Sequence, residues 1–143
     1  MTFIQTTITL PPFRRGFHLI TSLINQEIKG LETIKVGMAN IFIQHTSASL
    51  TINENAAPTV RQDFESHFNK MIPENMSYYK HTYEGSDDMP AHLKASVLGN
   101  SLQIPVTNGQ FNLGTWQGIY LCEHRNSASS RKIIITIWGE KSA

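Results

Sequence analysis

A single cysteine, Cys122, is all the thiol that this 143-residue chain carries. One cysteine excludes an internal disulfide and points to a reducing compartment, the cytoplasm. Charge is scarce as well, at 16% of residues, so Ser, Thr, Asn and Gln must cover much of the surface. Twelve basic residues face eleven acidic ones for a net charge of +1, and no window gathers Lys and Arg. That excludes the electrostatic footprint of a nucleic-acid binder. The longest basic runs are the pairs Arg14-Arg15 and Arg131-Lys132, which read either as solvated edge charges or as a phosphate grip. No apolar run approaches the ~20 residues that span a bilayer. The start, MTFIQTTITLPPFRR, is too short and too polar for a signal peptide. Repeats, linkers and low-complexity segments are absent.

What is present reads as one α+β domain over residues 1–143, long enough to bury a single core. FIQTTITL (3–10) alternates apolar and polar and predicts a strand, stopped by Pro11-Pro12. Phe17, Ile20, Ile24, Ile28 and Leu31 recur at helical steps and predict a long amphipathic helix ending near Gly30. KVGMANIFIQ (35–44) predicts a central strand, with Gly37 marking a bulge or a close backbone approach. A second long helix follows, with Pro58 in its first turn and Val60, Phe64, Phe68 and Met71 as its stripe. Residues 73–86 are polar, aromatic and aperiodic: a long loop with room for a short strand. Residues 87–99 predict a short helix, with an Asp start, Pro90 in the first turn and Gly99 at the end. Four strands close the chain: SLQIPV, GQFNL, QGIYLCEH and RKIIITIWG. The expected fold is mainly antiparallel and sandwich-like, with two longer helices and one short one.

Of six histidines, His18 and His67 fall on the long helices and read as structural or exposed. His45, His81, His92 and His124 stand in a loop or at element ends, where sites are assembled. His81 and His92 bracket Glu84, Asp87 and Asp88, and His45 can supply a third nitrogen. Three protein ligands and one open position describe a zinc-type catalytic site. Hydrogen-bonded histidines at a solvated sheet edge fit the same spacing, since no HExxH or paired CxxC is present. The hydroxyls of HTSAS (45–49) suit phosphate binding or turn capping better than nucleophilic catalysis, because GxSxG is missing. Cys122 alternates with Tyr120 and reads as buried. Trp116 offers a stacking face and Gln117 an amide, together suiting a planar heterocycle.

HTSASLTINEN (45–55), His81 with GSDDMPAHLKASVLG (85–99), NGQFNLGTWQGIYLCEH (108–124) and RKIIITIWG (131–139) together resemble the secondary thiamine-phosphate synthase enzymes, the YjbQ-like proteins. The likeness runs along nearly the whole chain in the same order. It implies an antiparallel α+β fold, a homotrimer, a polar pocket near the subunit boundary and a histidine cluster binding a divalent metal, zinc-type or magnesium. His45, His81 and His92 match the histidine positions of its motifs. Ser47, Asn53, Glu54, Gly114, Thr115, Gln117 and Glu123 match others. The chain departs from the pattern at Asp88-Met89-Pro90, which removes one carboxylate. It departs again at His124-Arg125-Asn126, where an acid gives way to residues suited to an anion.

The implied activity is thiamine-phosphate synthase-like: a pyrimidine-methyl diphosphate joins a thiazole phosphate and pyrophosphate leaves. Such a transferase needs leaving-group charge neutralised, by a metal and by Arg125 or Arg131. Glu123 or Glu54 is the expected acid/base or the partner orienting a ligand imidazole, with Gln117 beside the reaction. Ser47, Asn53, Thr115 and Trp116 are the expected substrate contacts. Two other readings keep the same residues: a metal-dependent hydrolase of a small phosphoester, and a non-catalytic trimeric module binding a small ligand or metal.

Overall fold

In IIITIW (133–138) alternate side chains face alternate ways, and that alternation organises the molecule. A computed structural model describes all 143 residues. Strands β1 (Thr2–Thr9), β3 (Ile34–Ile43), β5 (Ser101–Thr107), β6 (Gln110–Phe111) and β8 (Lys132–Lys141) form a five-stranded antiparallel sheet, ordered β1-β8-β3-β5-β6. Strands β2 (Gly16–Leu19), β4 (Ala48–Glu54) and β7 (Gln117–Glu123) form a second antiparallel sheet, ordered β2-β7-β4. Ile133, Ile135, Ile137, Ile41 and Ile104 of the first sheet share one core with Leu50, Ile119 and Leu121 of the second. Each such side chain removed from water contributes roughly 1.5–3 kcal/mol. The mainly antiparallel α+β sandwich expected from the sequence is the fold observed.

β7 is buried on both faces. Ile119 and Leu121 enter the inter-sheet core, while Tyr120 and Cys122 face Phe17, Phe64, Phe68 and Leu98. The second face is covered by α2 (Pro58–Met71), which packs on β2, and α3 (Asp88–Leu98), which packs on β4. The Cys122 thiol, as expected, is buried, and burial pushes its pKa up to about 12. No helix is long and apolar enough to cross a membrane.

The helix expected from Phe17 to Leu31 resolves differently. Phe17 and His18 belong to β2, paired with Cys122 and Leu121. Only α1 (Thr21–Glu27) is α-helical, and a 3-10 turn, Leu31–Thr33, follows. α3, expected short, has 11 residues and is the longer of the two. Ile20, Ile24 and Leu31 still enter the core, so the stripe marked the right side chains while misassigning the backbone. Residues 73–86 contain no strand. β3 lies at the centre of its sheet as expected, and Gly37 marks a close approach: a side chain there would collide with the Trp138 carbonyl on β8.

The outer face of the five-stranded sheet carries one apolar row and one mixed row across its paired strands. One is Phe3, Trp138, Met38 and Pro105; the other is Thr7, Ile134, Phe42 and Ser101. Gln5, Thr136, Asn40 and Gln103 lie between them. None of these twelve side chains is charged, and Phe3 is 71% exposed.

Candidate functional site

α3 begins where Arg125 ties it down. The Asp87 carboxylate accepts hydrogen bonds from the Asn126 N–H (2.8 Å) and from Arg125 Nε (2.9 Å), and Arg125 Nη1 reaches Asp88 Oδ1 at 2.7 Å. Arg125 Nη2 donates to the Glu84 carbonyl at 2.8 Å. Burial alone would raise the Asp87 pKa, but these hydrogen bonds and the guanidinium charge hold it below the ordinary value. Asp88 and His92 lie four apart on the helix and therefore on one face.

On that face three side chains converge. Asp88 Oδ2 lies 2.8 Å from His81 Nε2 and 3.2 Å from His92 Nε2. The potential ligand atoms of His81, Asp88 and His92 all fall within 4.8 Å of one another. Asp88 is buried, whereas His81 and His92 are partly open to solvent. The other nitrogen of His92, Nδ1, donates to the Thr46 carbonyl at 3.0 Å. His81 and His92 thus meet as expected, but the third member of the group is Asp88. The signal was present: an Asp and a His at i, i+4 on a predicted helix.

His45 stands outside this group. Its Nε2 accepts the backbone N–H of Lys132 at 2.9 Å, which occupies the lone pair a metal would use. Burial, with Arg131 nearby, holds its pKa below the ordinary histidine value. It lines a cavity of about 210 Å³ together with Thr46, Ala48, His92, Ser96 and Asn100. Ser96 and Asn100 gave no sign in the sequence beyond lying near the end of a predicted helix.

Other expected site residues are committed elsewhere. Glu123 is fully buried, and Arg131 grips both its oxygens, Nε to Oε1 at 2.7 Å and Nη2 to Oε2 at 2.6 Å. That bidentate pair leaves no free carboxylate for acid/base work, and it occupies the cation expected to hold a phosphate. Arg131 Nη2 also donates to Ser47 Oγ at 3.0 Å, so Ser47 supports the pair. Arg125, expected to meet an anion, is held by Asp87 and Asp88 because two protein carboxylates already face it. Arg15 likewise binds Glu65 and Glu74, at 3.0 and 2.9 Å.

Asn53, Glu54, Thr115, Trp116 and Gln117 lie at the other end of the three-stranded sheet. β7 pairs Glu54 with Gln117 at that end and Ala48 with Glu123 at the histidine end, six residues and roughly 20 Å apart at about 3.3 Å per residue. There Glu54 accepts the Ala57 N–H at the start of α2 at 3.2 Å, and Asn53 Oδ1 accepts the Glu54 N–H at 2.8 Å. Gln117 Oε1 takes the Gly114 N–H at 2.8 Å, and Asn55 donates to the Thr115 and Gln117 carbonyls. These are turn and helix-start contacts. Trp116, 65% exposed, cannot stack on a small ligand held at His92 of the same chain. His124 is buried, shares a 2.8 Å hydrogen bond with the Ser49 hydroxyl, and has a pKa pushed down to about 3 by burial and the nearby Lys94, Arg15 and Arg131 charges.

Comparison with known proteins places these features in context. The family described as UPF0047 protein YjbQ-like matches residues 6–140. The UPF0047 protein YjbQ of Salmonella typhimurium is 55% identical over 136 residues, covering 95% of this chain and 98% of that protein. Its counterpart in Escherichia coli O157:H7 is 50% identical over the same shares. Among solved structures, a YbjQ-like protein of unknown function from Sulfolobus solfataricus superposes with a TM-score of 0.84 at 29% identity, covering 97% of this chain and 99% of that one. An uncharacterized conserved protein of the yjbq/upf0047 family from Clostridium acetobutylicum gives 0.77 at 36% identity, covering 94% and 99%.

Proposed function

The chain belongs to the YjbQ-like family, UPF0047, and from that premise we propose that it is a metal-dependent enzyme acting on a small phosphorylated heterocycle. The cation is held by His81, Asp88 and His92. The reaction class is thiamine-phosphate synthase-like transfer, in which a pyrimidine-methyl diphosphate joins a thiazole phosphate and releases pyrophosphate. A cytoplasmic setting fits the single buried thiol.

One observation carries the reading: the hydrogen-bond state of His92. A carbonyl only accepts, so the bond to Thr46 keeps the proton on Nδ1 and leaves Nε2 of the neutral ring with its lone pair. That lone pair faces Asp88 Oδ2, also an acceptor, at 3.2 Å, and two acceptors repel unless a proton or a cation lies between them. His81 Nε2 lies 2.8 Å from the same oxygen. A histidine ligand commonly anchors its other N–H on a carbonyl in this way. Tetrahedral zinc with bonds of about 2.0–2.1 Å separates its ligand atoms by about 3.3 Å, close to the His92–Asp88 spacing. Two imidazoles favour zinc over magnesium, which prefers oxygen.

Three protein ligands leave a position open for substrate or water, as in catalytic zinc sites. A divalent cation there would neutralise charge on a departing pyrophosphate. Arg125 acts as a positioning residue, fixing Asp88 through its second oxygen. The proposal includes assembly as a homotrimer, supported by the uncharged outer face of the five-stranded sheet. Protein purified without a histidine tag is expected to carry about one zinc per chain, and His92→Ala to lose both the metal and pyrophosphate release. A metal-free wild type, or full activity in His92→Ala, overturns the reading.

A further inference from the structure

We infer that His45 is a neutral N–H donor to a phosphoryl oxygen of the substrate, received in the cavity it shares with His92, and that it is not a ligand of the cation. The inference rests on the proposed site for its neighbour, but its chemistry can be tested without metal.

The tautomer follows from the partner. The backbone N–H of Lys132 can only donate, so His45 Nε2 must present its lone pair to it. A neutral imidazole then carries its single proton on Nδ1. The ring has one lone pair and it is used, so ligating a metal would require giving up a main-chain hydrogen bond. What His45 offers the cavity is a fixed donor.

The cavity wall agrees with that role. Its polar lining is Thr46, Ser96 and Asn100 with the two histidines, and no carboxylate is among its residues. Hydroxyls and an amide can all donate to oxyanion oxygens. The nearby guanidinium groups, Arg125 and Arg131, are taken up by Asp87, Asp88 and Glu123. A phosphoryl group here is therefore met by oriented neutral donors, with the adjacent metal group supplying the positive charge. Donors fixed before the charge arrives need no reorganisation when it does. The volume of about 210 Å³ is ample for a phosphoryl group.

Imidazole nitrogen NMR on metal-free protein reads the tautomer directly, and a protonated Nδ1 is expected at His45. A protonated Nε2 overturns the inference, whether or not zinc binds. Titration with inorganic phosphate, with and without zinc, is expected to shift the His45 ring resonances. His45→Ala should keep wild-type zinc stoichiometry while weakening phosphate binding about tenfold or more, the usual scale for a hydrogen bond to a charged group. His45→Asn, whose amide nitrogen falls near Nδ1, should recover most of that loss. Loss of zinc in His45→Ala, or unchanged phosphate affinity, overturns the assignment. If His45→Ala does not fold, the resonance measurements on the wild-type protein decide. If wild-type protein binds no zinc, the proposed enzyme falls, while the tautomer and the metal-free titration still judge His45.

Discussion

His124 shows how much one side chain can couple this fold to pH. Burial first, then the charges of Lys94, Arg15 and Arg131, lower its pKa from 6.5 to about 3. The unfolded chain therefore takes up a proton below about pH 6.5 that the folded chain refuses until about pH 3. Stability from this group is complete above pH 6.5 and falls as pH drops through that window, by at most about 1.4 kcal/mol per pH unit. Between pH 7.5 and 5 the loss amounts to about 2 kcal/mol. His124→Gln, which keeps a polar partner for Ser49, is expected to flatten that acid limb. Urea midpoints at pH 7.5 and 5 check it, and an unchanged slope would remove His124 as the source. At this scale the sequence was half legible. The meeting of His81 with His92 could be read from a loop and a helix lying close in the chain. Asp88 went unassigned as a ligand even though its spacing from His92 was visible. Glu123, Arg125 and Arg131 were misassigned for a physical reason: sequence displays charges, but only the fold decides which of them neutralise one another. Arg131 and Glu123 are only eight residues apart, yet Glu123 ends β7 and Arg131 stands just before β8, and neither strand pattern indicates that they face each other.

Among the elements, helix and strand placement was read well wherever the pattern was local. α2 and α3 begin and end close to where Pro58, Pro90 and Gly99 put them. The exception, Phe17 to Leu31, failed because β2 owes its existence to β7, about a hundred residues away, and an edge strand of four residues has no period of its own. Apolar residues at 17, 20, 24, 28 and 31 point into cores from a strand, a short helix and a turn in succession. β3 and β8 meet the opposite constraint. Their backbones run so close at Gly37 and Gly139 that neither position has room for a methyl group. Gly37→Ala is expected to destabilise the protein by about 1–3 kcal/mol through overpacking. That appears as a lower thermal midpoint. A neutral result would mean that the strands separate there at little cost.

At the scale of the molecule the layers are unequal. Helices cover the outer face of the three-stranded sheet, and the five-stranded sheet turns Phe3, Trp138, Met38, Phe42 and Ile134 outward. Uncharged, with its apolar side chains in two strips divided by three amides and a hydroxyl, this face suits an interaction site. Four strands at about 4.8 Å spacing, with six residues each, make a face of about 400 Å², roughly half of what a standard stable interface takes from each partner. In the proposed homotrimer, neighbouring copies of the chain would meet such a face through different parts of it around the threefold axis. If the proposed homotrimer forms through this face, Trp138→Glu is expected to give monomers in sedimentation velocity at micromolar concentration, with the far-UV spectrum unchanged. A wild type that sediments as a monomer rules out the trimer. The sandwich itself was legible because alternation is a local property. The order of strands and the bare outer face were not, because they depend on pairings between segments far apart in the chain. The same distance governs the two ends of β7. A nucleobase-sized molecule is far shorter than the strand, so nothing that small touches Trp116 and His92 of one chain at once. Probes tethered beside Trp116 and beside His92 therefore report independently, and the strand between them serves as a built-in spacer for measuring whether two chains stand close enough to bridge it.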